Sequence, residues 1–228
     1  MTTKRRWQST IGKKIIMAIT GLLMIGFLIV HLAGNLALFI PDGGRSFNLY
    51  AHTLGGFSAP LNVARVGLAA FFLFHIFTGI RVWLNNLSAR KNRYAVYASK
   101  GGPSKLSASS RSMIITGIAI AIFVPIHIAM FSLGVHYETV IDGQVMRDLY
   151  QLVVEKFKVP GIAFGYAGLM FLLGMHLRHG FWSALQSLGA MSKRSLPIMY
   201  TIGIIFAILL AGGFVVLPLY VYFFVPLP

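Results

Sequence analysis

The sequence predicts an all-α membrane protein, a bundle of five transmembrane helices with its N-terminus cytoplasmic and its C-terminus outside. Three observations carry this. The 228-residue chain is 57% hydrophobic and only 11% charged, outside the range of soluble domains. Five apolar runs are each long enough to cross a bilayer, at about 15–40, 61–84, 112–135, 160–186 and 196–223. Lysine and arginine gather at alternate ends of those runs: Lys4, Arg5, Arg6, Lys13 and Lys14 before the first, six cations from Arg90 to Arg111 between the second and third, and Lys193 and Arg194 between the fourth and fifth. All five acids fall in the other two connections. By the positive-inside rule the basic face is cytoplasmic, and the net charge of +15 is explained by topology rather than by nucleic acid.

The first run is led in by a polar turn at Ser9, Thr10 and Gly12 and stops at Pro41-Asp42-Gly43-Gly44, a strong turn signal. No cleavage site follows it, so it is not taken as a signal peptide. Residues 45–60 are expected to form an outer loop containing Tyr50, His52, Gly55 and Gly56. The second run ends at Trp83 and Asn85-Asn86, side chains suited to a membrane interface. Residues 88–112, polar and basic, form the longest cytoplasmic connection, with a role expected in docking an acidic partner through Arg90, Lys91 and Arg93.

The third run holds Pro125 two residues before His127, where a kink would aim the imidazole. Between the third and fourth runs, Leu149, Tyr150, Val153, Val154 and Phe157 recur at helical spacing opposite Asp148, Gln151 and Glu155. A short helix over about 146–157 is expected there, lying on the outer surface. The fourth run opens on Pro160-Gly161. The fifth has neither histidine nor charge and is expected only to pack. The chain is taken as one domain, 1–228, without an internal repeat.

Each of the first four runs carries histidine: His31, His75, His127, and the pair His176 and His179. Imidazole is costly in hydrocarbon and normally faces the bundle interior with a partner. At about 1.5 Å per helical residue, His31 and His127 lie roughly 24 and 21 Å from the cytoplasmic boundary, whereas His75 and His176 both lie roughly 14 Å in and His179 roughly 9 Å. Two imidazoles at one depth on different helices can clasp a flat iron porphyrin, one ring nitrogen each. Two such closed sites, His31 with His127 and His75 with His176, would form an electron path with two haems b.

With no cysteine in the chain, disulfides, thiolate-held clusters and c-type attachment are excluded. Arg81, Arg178 and His179 are candidates to hold haem carboxylates at the inner site, or simply to snorkel to headgroups. His52 is a candidate for the outer site or a quinone pocket, with a solvated loop histidine as the alternative. Gly26, Ala33, Gly34, Gly79, Gly168 and Gly174 leave room either for a macrocycle or for close helix packing.

The motifs Ser9-x-x-Gly12-Lys13-Lys14 leading into MAITG, HLAGNL at 31–36, NLYAHTLGG at 48–56 and HLRHGFWSALQSLG at 176–189 together resemble the cytochrome b subunit of succinate:quinone oxidoreductases, of the single-anchor, two-haem type. The resemblance implies four axial ligands at His31, His75, His127 and His176, with His179-Gly180 as a rival alignment for the last. It implies a plasma- or inner-membrane anchor for an iron–sulfur subunit and a flavoprotein subunit of respiratory complex II. FAD and clusters would lie on those partners only, and electrons would pass through two haems b to a quinone, expected to be menaquinone. It also leaves open the reverse reaction, quinol oxidation coupled to fumarate reduction. A reading of another class is a haem-free proton-coupled carrier with a histidine relay. Against that carrier, no acid lies inside any apolar run to work with the histidines.

Overall fold

The computed structural model describes residues 9–88, 107–192 and 194–227. Ser9 caps the first helix, α1 (Thr10–Asn35), its hydroxyl accepting from the Gly12 N–H at 3.0 Å. A 3₁₀ turn, Leu36–Phe39, extends the helix to the Pro41–Gly44 turn. There follow α2 (Arg45–Gly56), α3 (Ser58–Ser88) and α4 (Ala108–His127), the last started by a reciprocal Ser107–Ser110 capping box. Pro125 supplies no backbone N–H, and three residues later α4 gives way to a π turn, Ile128–Ser132, where the Leu133 N–H reaches the Ile128 carbonyl at 3.0 Å. Strands β1 (Glu138–Ile141) and β2 (Gln144–Arg147) pair antiparallel. Then come α5 (Leu149–Phe157), α6 (Pro160–Ser187) and α7 (Leu196–Phe224).

Among the described residues the fold is mostly helical, and five helices are long and apolar enough to cross a membrane: Ile11–Phe39, Ser58–Ser88, Ala108–Ser132, Pro160–Ser187 and Leu196–Phe224. Each overlaps an expected run, extended by a few residues where polar ends continue the helix. The cations Arg90, Lys91 and Arg93 of the 88–112 connection lie outside the described residues.

Two expectations about the connections are corrected. Residues 45–60 are not a loop: Arg45–Gly56 is a helix. The expected helix over 146–157 begins only at Leu149, because Met146 and Arg147 belong to β2. The hairpin turns on Asp142 and Gly143, both at positive φ (51° and 76°), the backbone a two-residue connection requires. The chain is therefore not helical throughout.

These elements close one end of the bundle, hereafter the capped end. Gly44, at φ 86°, starts α2 in a left-handed conformation, and the Tyr150 ring lies where any Cβ would project. The Asp42 carboxylate accepts from the N–H groups of Gly44 and Ser46, and its bonds to Ser46, the side chain first, hold it below the usual carboxylate range. Asn48, 3% exposed, donates to Asp148 at 2.8 Å and accepts from the Tyr150 N–H at 2.9 Å, fastening α2 to the start of α5. Replacing Asn48 by leucine leaves the Tyr150 N–H without its acceptor and the half-buried Asp148 oxygen with only the Gln151 N–H, and is expected to cost about 1–2 kcal/mol. A thermal melt in detergent measures it.

Arg147 completes the cap by donating to the carbonyls of Phe131 and Ser132 in the π turn after α4 and of Gly134 and Val135 just beyond it. Beneath it, Leu38, Phe47, Val154, Phe157, Tyr166 and Val221 form one apolar core. A second core joins Met170, Leu173 and Leu177 of α6 to Ala207, Leu210 and Phe214 of α7. At Gly174 an added Cβ would lie 3.0 Å from the Ala211 Cβ, so this glycine serves close packing against α7. Gly34 likewise faces the Tyr50 ring of α2.

Candidate haem-binding site

Four helices, α1, α3, α4 and α6, bring their histidines together in two pairs. His31 and His127 have ring centroids 5.9 Å apart with planes crossed at 86°. His75 and His176 have centroids 6.3 Å apart, crossed at 66°. A metal–imidazole bond is about 2 Å long and the ring centre lies about 1 Å behind the bonded nitrogen, so two imidazoles on one metal have centroids about 6 Å apart. Both pairs have that separation. The donor set fits a b-type haem, which needs two neutral nitrogen ligands and no thiolate.

Nearer the open end of the bundle, hydrogen bonds orient the rings. The His75 Nδ1 lies 3.2 Å from the Met17 carbonyl and 3.3 Å from the Thr20 hydroxyl, both on α1. The His176 Nδ1 lies 3.1 Å from the Thr116 hydroxyl of α4. A carbonyl only accepts, so the His75 proton sits on Nδ1 and the Nε2 lone pair is left for a ligand. Gly21 and Gly117 sit against these rings: a Cβ would come within 3.2 Å of the His75 Cε1 and 3.5 Å of the His176 Cε1.

Nearer the capped end, aromatic rings take over. Phe27 stacks on His31 at 5.3 Å and Phe214 lies at 5.8 Å. His127 lies between Phe123 and Phe131, with the Tyr166 hydroxyl 3.5 Å from its Nδ1. An apolar groove of about 340 Å³ runs beside it between α4 and α6, lined by Ile122, Met130, Gly161, Gly165, Tyr166 and Leu169.

The remaining candidates join neither ring pair. His179 packs edge-on to Trp182 at 5.1 Å, its Nδ1 buried without a hydrogen-bond partner. Arg178 is half-buried and donates to the Ser109 hydroxyl at 3.3 Å. Arg81 is exposed, its guanidinium 4.7 Å over the Phe77 ring of its own helix. His52 is exposed on α2.

The paired geometry also corrects the expectation that the chain lacks a repeat. Met17-x-Ile19-Thr20-Gly21 on α1 matches Met113-x-Ile115-Thr116-Gly117 on α4, and the following histidines, His31 and His127, stand at the same distance along each helix. His75-x-x-Thr78-Gly79 on α3 matches His176-x-x-His179-Gly180 on α6. Each facing pair thus unites corresponding positions of these short matching segments. Thr20, Gly21, Thr116, Gly117 and Tyr166 escaped the sequence reading, although the duplicated Ile-Thr-Gly was visible there.

Among known proteins, residues 2–101 match the family of succinate dehydrogenase/fumarate reductase transmembrane subunits. The match takes in α1 to α3, with His31 and His75. No curated protein and no solved structure gives a significant match.

Proposed function

We propose that the chain, which matches the transmembrane subunits of succinate dehydrogenase and fumarate reductase over residues 2–101, is such a subunit and carries electrons between those enzymes' soluble subunits and a membrane quinone through two bis-histidine haems b. As a multi-pass anchor of an oxidoreductase complex it associates with an iron–sulfur and a flavoprotein subunit. The two-haem reading goes further, and one observation carries it. Four imidazoles from four helices face one another in two pairs at the separation of bis-imidazole ligation. The repeat supports the same reading, because His127 and His176, beyond the matched residues, occupy the positions of His31 and His75.

His31 and His127 would hold the haem nearer the capped end, His75 and His176 the other. When bound, such groups would supply one-electron transfer. The protein's own part is to set spacing and orientation. Thr20, Met17 and Thr116 direct the Nε2 atoms of one pair, while Phe27, Phe214, Phe123 and Phe131 keep water from the other. Arg178, half-buried beside His176, is the better placed cation for a haem carboxylate; Arg81 engages its own helix. The α4–α6 groove offers apolar walls for an isoprenoid quinone, with Tyr166 and His127 beside it.

With the basic connections cytoplasmic, the capped end faces outward and the partner subunits dock at the open end of a bundle in the plasma or inner membrane. The direction is tested on purified complex with a water-soluble quinone whose potential lies close to that of the succinate/fumarate couple, so that neither direction is favoured by driving force. The account expects succinate to reduce it faster than its quinol reduces fumarate. The opposite ratio assigns the chain to a quinol:fumarate reductase, with the same haem sites.

A further inference from the structure

The Thr-Gly steps of α1 and α4 do more than pack. Thr20 and Thr116 are 6% and 1% exposed, and each hydroxyl donates to carbonyls one turn back on its own helix: Ile16 at 2.9 Å and Met17 at 3.2 Å for Thr20, Ser112 at 3.0 Å and Met113 at 3.2 Å for Thr116. Buried threonines in helices commonly do this. Thr78 does so too, bonding the carbonyls of Phe74 and His75 on its own helix, and it meets no imidazole in any described hydrogen bond.

Thr20 and Thr116 differ in where the remaining lone pair points: at Nδ1 of a histidine on the neighbouring helix, 3.3 Å away at His75 and 3.1 Å at His176. With the hydroxyl proton committed to its own helix, the oxygen accepts from Nδ1–H and Nε2 is left bare. The adjoining Gly21 and Gly117 let each ring lie against the helix backbone; a Cβ at Gly21 would crowd the His75 Cε1 at 3.2 Å, and one at Gly117 would touch the His176 Cε1 at 3.5 Å. The same two-residue seat therefore occurs twice, at corresponding positions of the matching segments. It serves only the pair nearer the open end; His31 and His127 are set among aromatic rings instead.

We propose that Thr20 and Thr116 are positioning residues that fix the tautomer and ring plane of His75 and His176 and, by accepting from Nδ1–H, lower the reduction potential of the haem those histidines hold. This rests on the two-haem reading above. A hydrogen bond that draws the Nδ1 proton away makes the imidazole a more basic donor and favours ferric iron. Thr116 carries more of the effect, because His75 keeps a second acceptor in the Met17 carbonyl.

The test uses the assembled complex with Thr20→Val, Thr116→Val, the double variant, and the matching serine variants, read by redox titration and by the low-temperature EPR signal of each haem. The valine variants are expected to shift the ferric/ferrous equilibrium of the His75–His176 haem about three- to tenfold toward ferrous, about 30–59 mV for a one-electron couple. The shift should be larger for Thr116→Val, largest for the double variant, and absent at the other haem and in the serine variants. Unmoved potentials and EPR signals in the valine variants, equal shifts at both haems, or serine variants shifted as far as valine would overturn the proposal. If a valine variant assembles without that haem, its serine counterpart decides. Serine binding the haem at the wild-type potential upholds the role, and serine losing it assigns the threonine to methyl packing. A wild-type complex without b-type bands would bring down the two-haem reading and this proposal with it; wild-type bands with unmoved variants would bring down this proposal alone.

Discussion

Replacing His176 by alanine is expected to remove one of two haems b and to reduce succinate:quinone activity to background, while succinate oxidation by the soluble subunits, assayed with a dye, survives. His176 faces His75 at the distance of a shared metal, and its loss leaves that site one nitrogen. The His75→Ala variant should match it in spectrum and in activity, since the two rings form one site. His179→Ala is the control. Its ring packs against Trp182, so both haems should remain. Loss of a haem in His179→Ala with retention in His176→Ala would transfer the ligand role to His179.

The second large effect is expected from His127→Ala: selective loss of the other haem, with the His75–His176 haem still reduced by succinate and electron flow halted there. His127 lies outside the residues that match the family, so its assignment depends on the facing pair and on the repeat. The variant is therefore informative about the second half of the chain. His31→Ala should give the same spectrum. If His127→Ala instead lost the same haem as His75→Ala, the pairing of equivalent positions would be wrong.

The spans were legible because hydrocarbon imposes a strong and local demand: about twenty apolar residues, with cations at one boundary. The histidines stood out for the same reason, as polar groups that the surrounding composition makes expensive. What the chain hid is what depends on distant partners. The helix Arg45–Gly56 carries an apolar stripe at helical spacing, Phe47, Tyr50, Ala51 and Leu54, but the turn residues on either side of it favoured a loop, and its buried Asn48 is held by Asp148 and Tyr150 far along the chain. The hairpin was legible in principle, as Asp142-Gly143 between short β-prone stretches, but a helix reading of the following residues absorbed its second strand. The repeat is carried by a handful of residues in each half, and only the meeting of His31 with His127 and His75 with His176 makes their equivalence evident. Thr20 and Thr116 looked like ordinary helix threonines until the rings they hold were seen.

Two of the candidate glycines take the close-packing alternative. Gly34 and Gly174 serve helix contacts, with Tyr50 and with Ala211, whereas the glycines against imidazoles are Gly21 and Gly117. Small residues in membrane helices mark close approach without naming what approaches.

The central claim is that four imidazoles hold two irons, and the most direct measurement is the reduced-minus-oxidised visible spectrum of the purified complex, with haem and chain quantified in the same sample. The account predicts low-spin b-type bands at two haems per chain. A colourless preparation, or one haem per chain with all four histidines intact, would contradict it.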